Sequence, residues 1–250
     1  MNQSELKAFL DEKAAYYEHP RFIKTDPIQI PHQFSHKQDI EIAAFLTATI
    51  AWGNRKSILS SAQKIIMLMG KSPHSFIMEY NGNSLAPIVH RTFNSTDLEF
   101  LCHGLHRLYH EYADMDAFFS THPKTSVAEK ITALRSFLLE SPHEKRSEKH
   151  LSNPEKGSAA KRLNMFFRWM VRDSKAGVDF GLWKSIQPAD LSLPLDVHTG
   201  NVARKLKLLK RKQSDRKALD LIDAKLRKMD PLDPVKYDFA LFGLGVFEKF

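Results

Sequence analysis

Two short segments of this sequence place a lysine and an aspartate where helices are expected to begin. Lys161 follows a turn of small residues at 157–160, and Asp196 follows a proline-fixed extended stretch. A lysine amine is nucleophilic only when it is neutral, and burial among apolar side chains favours that form. An aspartate at a helix start is favoured in its charged form by the helix dipole. The two segments could therefore supply a nucleophile and a carboxylate that stabilises positive charge.

Each of these residues also has a purely structural explanation. Asp196 is of a type that commonly caps a helix N-terminus. Lys161 is followed by Arg162, and such a pair is ordinarily solvated. The turn itself has a second use, because Gly157 would let backbone N–H groups approach a phosphate at a helix start. Residue type alone therefore leaves the capping, solvated and catalytic roles open.

The elements that carry these residues are predicted to be helices, because the apolar spacing is helical nearly throughout and strand-like alternation is almost absent. Asp39 and Asp97 are expected to open two of the helices, and residues 141–158 are expected to form a surface loop. The sequence thus predicts an all-α fold with helices at about residues 1–17, 40–52, 58–69, 98–112, 127–139, 161–172, 198–209, 218–229 and 234–247.

Composition sets the limits of this fold. The 250 residues, 42% of them hydrophobic, suffice for one large domain or for two lobes that share a cleft. There is no apolar run of 18 residues that would cross a membrane, and the N-terminus lacks the features of a signal peptide. Cys102 is the single cysteine, which excludes an internal disulfide and a four-cysteine iron–sulfur cluster. A cytoplasmic, nucleoid-associated protein is expected.

The net charge of +8 is unevenly distributed along the chain. Residues 1–150 carry 17 basic and 17 acidic side chains, whereas residues 151–250 carry 20 basic and 12 acidic ones. The basic run, defined as residues 203–217, holds eight basic residues and one acid. A solvated helix face usually mixes both signs, so this run favours a polyanionic partner such as nucleic acid.

Together the two segments resemble the helix–hairpin–helix DNA glycosylase superfamily, whose hairpin is roughly Gly-x-Gly-x-Lys, followed by Pro-Val-Asp-x-His and a helix. Gly157 and Ala159 match the two hairpin glycines, Lys161 the lysine nucleophile and Asp196 the catalytic aspartate. The resemblance covers about residues 39–247 and is nearest to an uncharacterised bacterial family within or beside that superfamily. It implies a helical extension at 1–38 and a two-lobed glycosylase-like domain at 39–250, with the hairpin and catalytic segment at 155–206.

The resemblance implies a monomeric base-excision repair enzyme that acts without a cofactor on double-stranded DNA and flips out a damaged base. Lys161 would form a Schiff base with the sugar and would face Asp196 in a cleft between the lobes. The favoured lesion is an oxidised purine. The implied DNA-binding residues are Gly157, Ser158, Ala159, Arg162, His198, Arg204, Lys207, Lys210 and Lys212. The candidates for base pocket or intercalation are Trp52, Asn54, Phe166 and Trp169, with core packing as the alternative for the two tryptophans.

Several features depart from the family pattern. Ala159 replaces the second hairpin glycine, and Asp196 lies 35 residues after Lys161, farther than in most members. The cluster cysteines of some members are missing. His103, His106 and His110 share a helix face, for which exposed histidines are a better explanation than a metal site. The alternatives to a glycosylase are a non-catalytic DNA-structure binder that retains the fold, and an RNA-binding protein that uses the basic run.

Overall fold

The computed structural model describes residues 1–121, 126–173 and 175–250. It is all-α apart from one two-stranded antiparallel sheet in these residues, so the predicted fold class is confirmed. The helices are α1 (Gln3–Tyr17), α2 (Pro20–Ile23), α3 (Lys37–Thr49), α4 (Arg55–Met69), α5 (Pro73–Met78), α6 (Ser95–Glu111), α7 (Met115–Thr121), α8 (Val127–Leu139), α9 (Lys161–Val171), α10 (Val197–Lys205), α11 (Arg216–Met229) and α12 (Tyr237–Val246). The strands are β1 (Val89–His90) and β2 (Phe93–Asn94).

The chain divides into two compact units that interleave in sequence. The first, called here the Lys161 unit, contains Met1–Lys24, Pro154–Leu182 and Ile186–Phe250. The second, called here the Glu41 unit, contains Thr25–Asn153 and the short segment Trp183–Ser185. The Lys161 unit thus carries α1, α2 and α9–α12, whereas the Glu41 unit carries α3–α8 and both strands.

In the Lys161 unit, α1 and α10 both pack against α12. Gly243 of α12 makes the close approach of α1 possible, because a Cβ there would lie 2.2 Å from the ring of Tyr17. Helix α9 is more deeply enclosed than its pattern predicts, since every residue from Leu163 to Val171 is buried. That includes Arg168, a charged side chain that must find partners inside the unit.

In the Glu41 unit, α3 is buried from Asp39 to its end, as expected for a helix that is apolar on nearly every side. Its predicted start at Ile40 was wrong, because α3 begins at Lys37 and Asp39 lies in its first turn. The Asp39 carboxylate instead accepts hydrogen bonds from Ser72 Oγ (2.9 Å) and from the backbone N–H of His74 (2.8 Å). It therefore joins α3 to the start of α5.

Local signals located other helices well. Helix α4 buries Ile58, Ala62, Ile65 and Met69 and ends at Gly70, and α8 has the predicted bounds. Helix α6 begins three residues before the predicted start, because Asn94 is the N-cap and Asp97 is its capping-box partner.

Two further predictions need correction. Residues 141–158 are not simply a surface loop, since they form the 3₁₀ turns Lys145–His150 and Pro154–Lys156 and bury several side chains. Helix α10 stops at Lys205 instead of continuing to Leu209, because the chain turns through a left-handed conformation at Lys207 (φ 58°).

Candidate active site

The hairpin that precedes α9 is a tight turn with two residues at positive φ. Gly157 (φ 84°) is exposed and has open space where a Cβ would be, whereas Ala160 (φ 47°) is buried and precedes α9 directly. Ala160 contributes no side-chain cap, and positive φ is unfavourable for a residue with a Cβ. The turn is held by two side-chain bonds, in which Ser158 Oγ accepts from Ala160 N (3.1 Å) and Asn164 Nδ2 donates to Ala159 O (2.9 Å). The helix start is therefore left without a side-chain cap.

Lys161 is the first residue of α9, and its side chain is half-buried. Its Nζ lies 3.9 Å from Oδ2 of Asp196, which immediately precedes α10. The long segment between the two residues thus returns close to its starting point within the Lys161 unit. A primary amine and a carboxylate thus lie side by side at two partly accessible helix starts.

The Asp196 carboxylate divides its two oxygens between different partners. Oδ1 accepts from the N–H (2.9 Å) and the hydroxyl (3.1 Å) of Thr199, while Thr199 Oγ1 accepts from Asp196 N (2.8 Å). This is a reciprocal capping arrangement at the N-terminus of α10, so the structural role of Asp196 is real. Because Oδ2 is the atom that faces Lys161, the cap orients the carboxylate toward the amine and does not compete with it.

A second carboxylate, which the sequence pattern did not reveal, is buried in the same unit. Asp238, the second residue of α12, is 6% exposed and accepts a hydrogen bond from Nη1 of Arg168. Burial raises the pKa of Asp238 to about 6, with Arg168 and Lys161 opposing that shift and Asp196 adding to it. Lys161 and Asp196 thus both contribute to the electrostatic environment of Asp238.

Arg168 is also part of a buried network of ion pairs. Its Nε bonds Asp179 (3.2 Å), which also accepts from Arg172 Nη1 (3.0 Å). Arg172 in turn binds Glu18 at the end of α1 (2.6 Å) and Asp233 (2.7 Å). Two arginines four residues apart, one in the apolar helix α9 and one directly after it, indicate that carboxylates must be buried nearby but do not indicate which ones.

The apolar residues after Lys161 form the core of the unit. Phe166 and Trp169, considered as pocket or intercalation candidates, are both 0% exposed, as is Phe167. This agrees with core packing for these side chains, because completely buried rings offer no surface to a base. Leu163 is 3% exposed and is buried with them.

The arginines of the basic run have acceptors close to them in sequence, so only part of its positive charge is unpaired. Arg204 donates to the carbonyl of Arg211 (2.8 Å) and to Ser214, and Arg211 and Arg216 pair with Asp215 and Asp220. The lysines at 207, 210 and 212 are exposed. The backbone N–H of Arg216 donates to the carbonyl of Gly157 (3.0 Å), which joins the start of α11 to the hairpin.

The other two DNA-binding candidates differ in their exposure. Arg162 is half-buried, and burial lowers the pKa of its guanidinium to about 10. His198 is exposed in the first turn of α10, with its Cβ 3.3 Å from the position that a Cβ on Gly245 would take. His198 thus lies near the Asp196 cap, and Arg162 follows Lys161 directly.

Trp52 and Asn54 belong to the Glu41 unit. Asn54 caps α4 by accepting from Lys56 N (2.9 Å) and Ser57 N (3.3 Å). Trp52 is only partly exposed, and its ring meets His90 edge-on (5.1 Å) and stacks on His150 (5.5 Å). Both side chains thus have structural partners inside their own unit.

Glu41 is a second buried carboxylate that sequence analysis missed. It is 0% exposed on α3 and accepts from Trp183 Nε1 (2.6 Å), Tyr109 OH (2.8 Å) and Met115 N (3.2 Å). Burial raises its pKa to about 7, although the three donors oppose the shift. Through Trp183 it fixes the segment Trp183–Ser185 within the Glu41 unit.

The described residues contain no group of three or more His, Cys, Asp or Glu side chains arranged to hold a metal ion. His106, one of the three α6 histidines, bonds the carbonyl of Ile77 through Nδ1 (2.8 Å) and lies against His110. In the same part of the chain, no helix is both long and apolar enough to cross a membrane.

These features define an all-α protein with a lysine–carboxylate pair formed by two helix starts. The chain belongs to the family described as "Protein of unknown function (DUF2400)", whose model matches residues 26–247. No curated protein and no solved structure matches it. The family match includes Lys161, Asp196 and Asp238 but begins after α1.

Proposed function

We propose that this protein is a DNA glycosylase with lyase activity, which removes a damaged base from duplex DNA through Lys161. The observation that carries the proposal is the 3.9 Å approach of Lys161 Nζ to Asp196 Oδ2 at two helix starts. The proposal includes the two-lobed glycosylase fold that the motifs imply. An oxidised purine is the lesion class to test first, in keeping with the long spacing between the two residues.

In this mechanism the neutral amine of Lys161 forms a bond from its nitrogen to C1′ of the damaged nucleotide. The C1′–base bond breaks, and its electron pair leaves with the base, which takes up a proton. After the attached nitrogen has lost a proton, the C1′–O4′ bond breaks, O4′ takes up its electron pair and a proton from solvent, and the nitrogen lone pair forms a protonated imine. Loss of a C2′ proton then breaks the C3′–O bond, and the 3′ phosphate leaves with that electron pair. Asp196 stabilises the positive charge that develops on the sugar, through an oxygen that the Thr199 cap holds toward the amine.

DNA would bind along the hairpin and the exposed lysines of the basic run. The bond from Arg216 N to Gly157 O supports this assignment, since it connects the start of α11 to the turn. The open space at Gly157 would let a phosphate approach the backbone, and the α9 start, which lacks a side-chain cap, would contribute N–H donors. Ala159 does not block this approach, because its side chain is buried.

The test is reductive trapping with borohydride on duplex oligonucleotides that carry different lesions, beginning with 8-oxoguanine and an abasic site. We expect a covalent complex with the wild type and none with Lys161→Gln, which keeps the length of the side chain but lacks a basic amine. Lys228→Gln, a substitution of an exposed lysine in the same unit but outside the hairpin and the basic run, is the matched control and should trap normally.

Two outcomes would overturn the proposal. Trapping by Lys161→Gln on a lesion that the wild type processes would remove Lys161 from the mechanism. Absence of trapping by the wild type on every lesion, with duplex binding retained, would identify a non-catalytic DNA-structure binder. Competition among duplex DNA, single strands and RNA would show whether RNA is the preferred partner instead.

A further inference from the structure

The backbone of residues 189–193, called here the 189–193 segment, leads to Asp196 and is held by two side chains of α11. Asp223 Oδ1 accepts a hydrogen bond from Leu193 N (3.0 Å). One helical turn later, Arg227 donates to three successive carbonyl oxygens, those of Ala189 (3.2 Å), Asp190 (3.3 Å) and Leu191 (2.7 Å). The two side chains approach each other to 3.8 Å. Together they bind the 189–193 segment at both of its ends.

Apolar packing alone would not fix the position of this segment along α11. Its apolar side chains join a buried cluster whose members include Leu193, Leu195, Leu219, Ile222 and Leu226. Such packing is non-directional, and an extended chain that shifts by two residues, about 6.6 Å, presents the same alternating face. Hydrogen bonds are directional and are lost in such a shift. Asp223 and Arg227 therefore set the register of the segment on the helix.

The link from Leu193 to Asp196 is short and stiff. Leu195 N donates to the carbonyl of Leu193 (2.7 Å), which closes a three-residue turn around Pro194, whose ring fixes its own φ. All three residues of the turn are buried, and Asp196 follows at once as the cap of α10. The position of Leu193 thus determines where the Asp196 carboxylate lies.

Helix α11 also contacts the hairpin that precedes Lys161. The backbone N–H of Arg216, the first residue of α11, donates to the carbonyl of Gly157 (3.0 Å). One helix therefore bonds the backbone before Lys161 at its start and the backbone before Asp196 farther along. The two segments whose side chains meet at 3.9 Å share this support.

We propose that Asp223 and Arg227 are positioning residues for Asp196: they fix the register of the 189–193 segment on α11 and so hold the Asp196 carboxylate beside Lys161. This inference rests on the proposed function, in which Asp196 must lie next to the nitrogen and the sugar that react. A displacement of about 1 Å at such a site can slow the reaction about 10²-fold, even when the substitution is remote. Both residues act through the backbone that leads to Asp196.

The first readout requires no activity. It is a zero-length carbodiimide crosslink, which joins an amine to a carboxylate only when the two groups are adjacent. The Lys161–Asp196 crosslink is quantified by mass spectrometry of the digested protein, relative to the Lys37–Asp114 crosslink of the Glu41 unit. The reference pair is similarly exposed, at 28% and 16% against 31% and 20%, and its atoms lie 2.7 Å apart. The crosslink ratio therefore reports the approach of Asp196 to Lys161.

Two substitutions of Asp223 separate the hydrogen bond from the charge. Asp223→Ala removes the acceptor of Leu193 N, whereas Asp223→Asn keeps an oxygen for it. We expect Asp223→Ala to lower the crosslink ratio and to slow single-turnover trapping on an abasic-site duplex at least about tenfold, with duplex affinity unchanged. Asp223→Asn should restore both readouts toward the wild type. Arg227→Met removes the bonds to the three carbonyls and should change both readouts in the same direction as Asp223→Ala.

Leu10→Ala is the control for lost stability, because Leu10 is 0% exposed in α1 and belongs to the same apolar cluster. It should lower the thermal midpoint and leave both readouts at the wild-type level. The proposal is overturned if the wild type forms no Lys161–Asp196 crosslink, if Asp223→Ala keeps the wild-type ratio, if Asp223→Asn loses it equally, or if Leu10→Ala reproduces the losses. If the wild type crosslinks normally but traps on no substrate, the proposed function fails, and the crosslink ratio alone decides the role of Asp223 and Arg227.

Discussion

Each unit of this protein buries a carboxylate whose pKa is raised, and the two carboxylates differ in what satisfies them. Glu41 receives three neutral donors, from Trp183, Tyr109 and Met115, and is 0% exposed. Asp238 is bound by the charged Arg168 and acts electrostatically on Lys161 and Asp196, which are partly exposed. A carboxylate enclosed by neutral donors needs no counter-charge, whereas one bound by a guanidinium group depends on a buried ion pair.

The comparison predicts first that a substitution in the charged network around Arg168 lowers the free energy of unfolding more than a substitution of Glu41 does. Arg168→Met leaves Asp179 and Asp238 without a shared cation, and removal of one partner from a buried ion pair costs about 3–5 kcal/mol. We expect a loss of that size in the free energy of unfolding from urea denaturation at neutral pH. The loss should shrink in acid, because protonated carboxyl groups need no cation.

Arg216→Met is the control for this prediction. Arg216 also pairs with an aspartate, Asp220, but the two side chains are 30% and 55% exposed. Such surface pairs contribute at most about 1 kcal/mol. Equal losses for Arg168→Met and Arg216→Met would contradict the assignment of a buried network.

The titration of Glu41 should make the free energy of unfolding depend on pH. Its pKa in the folded protein, about 7, exceeds its ordinary value of 4.5, so the folded state binds the proton more tightly. Its stabilising contribution is therefore complete below about pH 4.5 and lost as the pH rises through about 7, by up to ~3 kcal/mol.

Glu41→Gln removes the group that titrates. The amide N–H₂ of Gln would also face one or more of the three donors, and those buried donors would lose their acceptor. The variant should be least stable relative to wild type in acid, by about 2–3 kcal/mol, and approach it near pH 8. Urea denaturation across that range measures the difference, in which groups common to both proteins cancel. A difference that stays constant with pH would mean that Glu41 does not titrate there.

These two carboxylates also show what a sequence can and cannot predict here. Helices α3, α4, α8 and α9 follow from apolar periodicity, which is a local property, and the Asp196 cap follows from residue type. The partners of Arg168 lie 11 and 70 residues away, and Trp183 lies 142 residues from Glu41. No local pattern encodes such pairings.

Within the candidate site, the sequence predicted only those residues that belong to a recognisable motif. Lys161 and Asp196 were named from their segments, and their proximity is a fact of the structure. The end of α10 was misplaced because Lys207, a residue without special turn propensity, adopts the left-handed conformation. Asp238 escaped notice because it lies in an apolar helix with no signal beyond its charge.

Asp196 has two roles in one side chain: it caps α10, and it places a negative charge beside Lys161. Asp196→Asn retains a capping oxygen, so the free energy of unfolding should change by only a few tenths of a kcal/mol. Base release in single-turnover assays should slow by about 10²-fold or more, because an oriented charge near a developing cation is a large catalytic term.

Asp26→Asn provides the control, since Asp26 caps the 3₁₀ turn Pro27–Gln29 in the Glu41 unit by accepting from Ile28 N (3.0 Å). It should leave base release within about twofold of wild type while affecting stability about as much as the Asp196 substitution. An Asp196→Asn protein with unchanged base release would reduce Asp196 to a cap.

The smallest expected effect concerns the exposed lysines, which have none of the buried partners described above. Neutralising Lys207, Lys210 and Lys212 together should weaken duplex binding for all sequences alike, because interactions with phosphates carry no sequence information. The slope of log affinity against log salt should become shallower by about 0.9 for each phosphate that the variant no longer neutralises. Lys207 should be replaced by Asn, which tolerates its left-handed backbone, and the other two by Gln.

The same charge can be removed elsewhere as a control, by replacing the exposed Lys145, Lys149 and Lys228 with Gln. A general electrostatic effect would change affinity equally in both triple variants, whereas a defined DNA-facing surface predicts a shallower salt slope only for the first. An unchanged slope in the first variant would assign the basic run to solubility. The arginines of the run are unsuitable for this test, because Arg204 and Arg211 hold the loop between α10 and α11 and their loss would alter the fold as well as the charge.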